Sequence, residues 1–117
     1  MNKRKTLFYF GYGSNMSTQY LINRRKILPV SSSAGLLKDY QLIMNMGGPN
    51  FVEPSFANIR ELEGSNVEGV VHEIDKKDLQ KIVNTEGEDY ELVKLSIDVC
   101  GKNKTAYTLI YKTNEIR

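Results

Sequence analysis

"LFYFGYGSNMS", residues 7–17, decides how the rest of the chain is read. Four apolar or aromatic residues, Leu7 to Phe10, run straight into Gly11-Tyr12-Gly13-Ser14-Asn15, a sequence that sustains neither a strand nor a helix. Residues 6–11, TLFYFG, read as a buried strand, and Ser17 suits the N-cap of a helix over 18–26 that stops before Pro29. A strand that ends in Gly-x-Gly-Ser-Asn just before a helix gathers unpaired backbone N–H groups and a helix N-terminus at one concave spot, and such a spot binds a carboxylate or a phosphate. The glycines let a ligand approach the chain closely, while Ser14 and Asn15 add side-chain donors. The Lys-Ser/Thr pair of a P-loop is absent, and so is the spacing of a dinucleotide fingerprint. An ordinary strand-to-helix turn fits the same residues, and the motif by itself leaves both readings open.

Working outward, the pattern alternates between strands and two inserted helices. "GLLKDYQLIMNM", 35–46, reads as a strand, and "GGPNFVEPS", 47–55, as an irregular connection because it holds two glycines and two prolines. "FANIRELEG" and "VEGVVHEID" read as two strands on either side of a turn at Gly64-Ser65-Asn66. Asp75 can N-cap "KKDLQKIVNTEG", whose Leu79, Ile82 and Val83 fall at helical spacing before Gly87 closes the helix. "YELVKLSIDVC" alternates with period two, turns at "GKNK", and pairs with "TAYTLIYK" as a terminal hairpin.

Composition bounds the function. With 117 residues, 40% apolar and 26% charged, the chain fits one domain, residues 1–117, whose core stands without metal or disulfide staples. A net charge of +2 is too mild to demand nucleic acid or an anionic membrane, and "KRK" at 3–5 and "RRK" at 24–26 read as solvated surface. Cys100, the single cysteine, has no internal disulfide partner, and no apolar run reaches the length of a signal core or a membrane span. A cytoplasmic protein is expected, and the sequons at Asn15 and Asn103 are set aside.

"YFGYGSNMS" resembles the signature at the start of γ-glutamylcyclotransferases and their AIG2-like and BtrG-like relatives, where the first strand ends in Phe-x-Tyr-Gly-Ser-Asn-Met or Leu. Further blocks agree in the family's order over residues 7–111. "AGLLKDYQLIM" is similar to its second strand, "SFANIRELEGSNVEGVVHEID" to its Ala-x-Ile strand, turn and Gly-Val-Val strand, and "LQKIVNTEGEDYELVKLSIDV" to its Glu-Gly segment. The resemblance implies an α+β fold, a small mixed β-barrel of about five to six strands flanked by helices, with the site at the barrel mouth. It implies cyclisation of a γ-glutamyl amide or peptide to 5-oxoproline with release of the amine.

That chemistry makes three demands. The α-ammonium must lose a proton, the departing nitrogen must gain one, and the glutamyl chain must fold so that amine and carbonyl meet. One carboxyl group can act as base and then acid if burial raises its pKa toward neutrality. Glu86, in the Glu-Gly that matches the family's catalytic segment, is the candidate. Tyr12, Gly13, Ser14, Asn15 and Met16 are the candidate substrate-binding residues, the N–H groups of 13–15 gripping the α-carboxylate. Tyr12 either lines the site or packs its ring under the turn, and Tyr9, Tyr40 and Tyr90 read as core or barrel wall. No cofactor and no metal is required. His72, the only histidine, has no Cys or second His to share an ion and reads as surface or barrel lining, and Cys100 reads as a small strand residue.

Expected partners are a small γ-glutamyl molecule, with no nucleic acid and no membrane, and a homodimer is left open. The chain stops at Arg117, short of the Pro-Ser-x-x-Tyr segment and helix with which the family usually continues. A more open site, completion by a second subunit, a truncated product or loss of catalysis would each follow from that. Val83 stands where an aspartate often precedes the catalytic glutamate, and Glu68 where many relatives have tryptophan. The alternative to an enzyme is therefore a catalytically silent binding module of the same fold that captures a small acidic metabolite or peptide.

Overall fold

Alternation along the first strand sets the architecture. In β1, Thr6–Gly11, Phe8 and Phe10 point to one side and Leu7 and Tyr9 to the other, and each side builds its own apolar cluster. The computed structural model describes residues 5–13, 16–44, 57–86 and 90–111, with the side chains of 44, 57, 85, 86 and 111 outside the description. After β1 come α1, Thr18–Tyr20, continued by a π-helical turn at Leu21–Arg25, then β2, Ser31–Met44, and β3, Ala57–Asp75. A 3-10 turn at Lys76–Asp78 leads into α2, Leu79–Glu86, and the chain closes with β4, Tyr90–Val99, and β5, Lys102–Tyr111.

The five strands form a closed ring in the order β1-β3-β2-β4-β5. All pairs are antiparallel except β1 with β5, which run parallel and meet at Tyr9 and Tyr107. The mixed α+β barrel flanked by helices is thus the architecture found. Phe10, Leu37, Val67, Val71, Ile97 and Ala106 fill the inside of the ring. Outside it, Leu21 from the first helical segment, Ile27 just after it and Ile82 from α2 bury against Tyr9, Ile74 and Leu109.

Several local expectations are corrected. No turn interrupts 57–75, which is one strand of 19 residues. Gly64, at φ +91, lies where the register against β2 jumps: Lys38 faces Asn66 but Tyr40 faces Glu61, so Asp39 spans the stretch between and its Oδ1 accepts from the Gly64 N–H at 3.0 Å. β2 begins at Ser31, earlier than the expected residue 35. The terminal hairpin turns at Cys100 and Gly101, φ 53 and 85, a left-handed two-residue turn, and β5 already starts at Lys102, where a "GKNK" turn was expected. Cys100 is therefore an exposed turn residue and not part of a strand.

Ser17 caps α1 as expected, its Oγ accepting from the Tyr20 N–H at 3.1 Å. Asp75 occupies the N-cap position but makes no side-chain cap bond, and a 3-10 turn precedes the helix. The connection expected at 47–55 and the closing Gly87 lie outside the described residues. Tyr9 is buried against the helical layer, where Tyr90 also packs, and Tyr40 packs against the inner cluster. The phenol of Tyr40 is held above its usual range, first by burial and then by the carboxylate of Glu61 across the strand pair. Among the described residues no helix is long and apolar enough to cross a membrane.

Candidate active site

The turn after β1 is anchored from below. Tyr12 continues the inward face of Phe8 and Phe10, is buried, and donates its phenol O–H to the Leu109 carbonyl of β5. Thr108, fully buried beside it, donates its Oγ1–H to the Phe10 carbonyl at 2.7 Å. These two side-chain bonds stitch the one parallel seam of the ring, where a strand pair without a connecting hairpin has few backbone bonds of its own. Each such bond contributes about 0.5–1.5 kcal/mol.

On the opposite side β1 rests on Gly69 of β3. A Cβ there would stand 2.5 Å from the Gly11 carbonyl oxygen and 2.7 Å from the Phe10 ring, so only glycine lets β1 end where it does. Gly13 is half-buried, and its carbonyl accepts from the Met16 N–H at 3.0 Å, which draws the two flanks of residues 14 and 15 together. Met16 is 41% exposed. It borders a cavity of about 590 Å³ on the outer side of the ring, shared with Leu36, Glu68, Asp98 and Cys100.

α2 approaches from the other side of the same seam. Ile82 is fully buried against Leu21, Ile27, Tyr9 and Leu109, so the helix lies over the outer faces of β1 and β5. Lys81 ties it to the first helical segment by donating to the Lys26 carbonyl at 3.0 Å, and it also pairs with Asp78 at 3.2 Å. The helix ends at Glu86, and β4 resumes at Tyr90, opposite Tyr111. β5 pairs with β1 at Tyr9 and Tyr107 and with the first residue of β4 at Tyr111 and Tyr90, so it lies between the strand that leads into the turn and the strand that follows α2. Strands β1 and β4 are thus one strand apart in the ring, about 10 Å at the usual spacing.

Of the residues expected in the site, Tyr12, Gly13 and Met16 gather at the end of β1, and the backbone of Glu86 closes α2. Ser14, Asn15 and the Glu86 side chain lie outside the described residues. Thr108, Leu109 and Gly69 were missed. A buried threonine inside the apolar alternation "AYTLIY" was the only available signal for the first. His72 is corrected: it lies neither on the surface nor in the lumen. It is fully buried, in register with Tyr9, and its Nδ1 lies 2.7 Å from the Ser32 hydroxyl. Among the described residues no group of three or more His, Cys, Asp or Glu side chains could hold a metal ion.

A family model described as gamma-glutamyl cyclotransferase, AIG2-like, matches residues 9–117. The fold is similar to that of a solved gamma-glutamyl cyclotransferase, at 24% identity and a TM-score of 0.77 over 95% of this chain and 69% of that one. An uncharacterized protein from Homo sapiens superposes almost as well, at 24% identity and 0.76 over the same shares. A protein from Arabidopsis thaliana solved in solution gives 16% and 0.75, over 99% of this chain and 69% of that one. Among curated proteins none matches the sequence.

Proposed function

Because the chain belongs to the gamma-glutamyl cyclotransferase, AIG2-like family, we propose that it cyclises a γ-glutamyl amide or peptide to 5-oxoproline and releases the amine. The N–H groups of Gly13, Ser14 and Asn15 take the α-carboxylate, which bends the glutamyl chain back on itself. Glu86 removes a proton from the α-ammonium. The freed amine nitrogen attacks the γ-carbonyl carbon and a new C–N bond closes the five-membered ring. Glu86 gives its proton to the departing nitrogen as the original amide C–N bond breaks. It then takes the second proton from the ring nitrogen, and that proton leaves with the amine as an ammonium. Atoms and charge balance with no external reactant, no cofactor and no covalent enzyme intermediate. The free thiol of Cys100 suits the reducing conditions of the cytoplasm, where we place the reaction.

The observation that carries this reading is the register across the parallel seam. β1, which leads into the Gly13 turn, and β4, which resumes after α2 at Tyr90, lie on either side of β5, so the two segments that carry the expected site residues belong to neighbouring parts of the ring. The phenol of Tyr12 and the hydroxyl of Thr108 hold the turn side of that seam. The test is incubation with a panel of γ-glutamyl amino acids, γ-glutamyl amines and glutathione, following 5-oxoproline by mass spectrometry. Turnover on at least one member is expected, with Glu86→Gln lowering kcat by about 10²–10⁴-fold. Binding without turnover, at an affinity that Glu86→Gln leaves intact, would replace the enzyme by a silent binding module.

A further inference from the structure

We propose that the groove between α2 and the outer faces of β1, β4 and β5 binds an amphiphilic anion, an alkyl chain carrying one negatively charged head. The groove has a volume of about 680 Å³, within the range of small-molecule pockets. Its apolar wall comes from Leu7, Leu92 and Tyr107 on the three strands and from Leu79 and Val83, one helical turn apart on α2. None of these five is fully buried, and Leu7, Leu79, Leu92 and Tyr107 pack against the outer cluster. Apolar surface left open in one continuous concave strip is a binding feature more often than a scatter of single exposed residues is.

Charge selects the occupant. Lys5, Lys76 and Lys77 stand along the groove, brought to one lip by the bond from the Lys76 N–H to the Lys5 carbonyl at 2.9 Å. Asp75 is the carboxylate in the lining, which leaves an excess of positive charge beside the apolar strip. Lys94 adds a cation near the far wall, its Nζ 5.8 Å from the centre of the Tyr107 ring. A chain with a single anionic head meets both halves: its methylenes cover the leucines, Val83 and the Tyr107 ring, and its head reaches the ammonium groups. A neutral chain would leave those groups unused, and a compact polyanion would leave the apolar wall bare. The lip lies at the Thr6–Asp75 end of the β1 and β3 pair, the opposite end of β1 from the Gly13 turn, so the charged end of the groove is away from the turn proposed to hold the α-carboxylate.

The experiment is an NMR titration of the ¹⁵N-labelled protein with decanoate below its micellar concentration. The expected result is saturable shifts centred on the amides of Leu79, Val83, Leu92 and Tyr107. The double variant Lys76→Glu/Lys77→Glu, which changes only exposed side chains, should weaken binding at least tenfold, and Val83→Phe, which fills the groove, should abolish it. Decanol should bind at least tenfold more weakly than decanoate. Shifts located elsewhere, equal binding of decanol, or a double variant with unchanged affinity would overturn the proposal. So would sedimentation of the protein with phosphatidylglycerol vesicles in the absence of any response to free decanoate, since the surface would then recognise a membrane.

Discussion

The two apolar clusters of this molecule share a wall of strands but are closed in different ways. The inner one, around Phe10, Val71 and Ile97, is enclosed on every side by the ring. Among the described residues, the outer one, around Tyr9, Ile74 and Leu109, is covered toward solvent by a π-helical turn with the residues after it and by an eight-residue helix, which contributes the fully buried Ile82. An isolated helix of that length is unstable in water, so its tertiary contacts hold it: the packing of Ile82 and the Lys81 bond to the Lys26 carbonyl. The two halves of the proposed site therefore rest on supports of unequal strength. The turn that would grip the carboxylate grows from the ring, and the carboxyl group that would move protons is carried by the thinner layer.

Removing the ring's central side chain tests that contrast hardest. Phe10→Ala should cost about 3–5 kcal/mol and lower the thermal midpoint of the whole domain, because strands on every side lose contacts at once. Ile82→Ala should cost about 2–3 kcal/mol, the lower part of the range for such truncations, because α2 can settle into the space. Its distinguishing mark is local: amide exchange should quicken in α2 well before it does in β1 and β3. Equal acceleration in all three would erase the distinction between the layers. Tyr12→Phe should have the smallest effect, about 1 kcal/mol for the lost bond to the Leu109 carbonyl, and should raise KM more than it lowers kcat.

What the sequence discloses follows the same division. Local signals read well: the strand at 6–11, the Ser17 cap, the helix that ends at Glu86 and the terminal hairpin need only neighbouring residues to be recognised. Gly64-Ser65-Asn66 misleads because a glycine at positive φ serves a bulge as readily as a turn, and the residue that decides, Asp39, lies far away on β2. The parallel seam is illegible for the same reason. Tyr12 with Leu109, and Thr108 with Phe10, are joined across almost the whole chain by bonds that leave no pattern in either segment. Gly69 gives no sign that it makes room for the Gly11 carbonyl, since its neighbour acts in three dimensions only. Nor does His72 announce that it is buried beside Ser32, because an alternating strand assigns a face but not what covers it.

The most direct measurement of the central claim is a crystal structure with 5-oxoproline bound. The expected picture has the product carboxylate on the backbone N–H groups of residues 13–15 and the Glu86 carboxyl within hydrogen-bond distance of the ring nitrogen. A bound product far from that turn, or a Glu86 carboxyl directed into bulk water with the product in place, would contradict it.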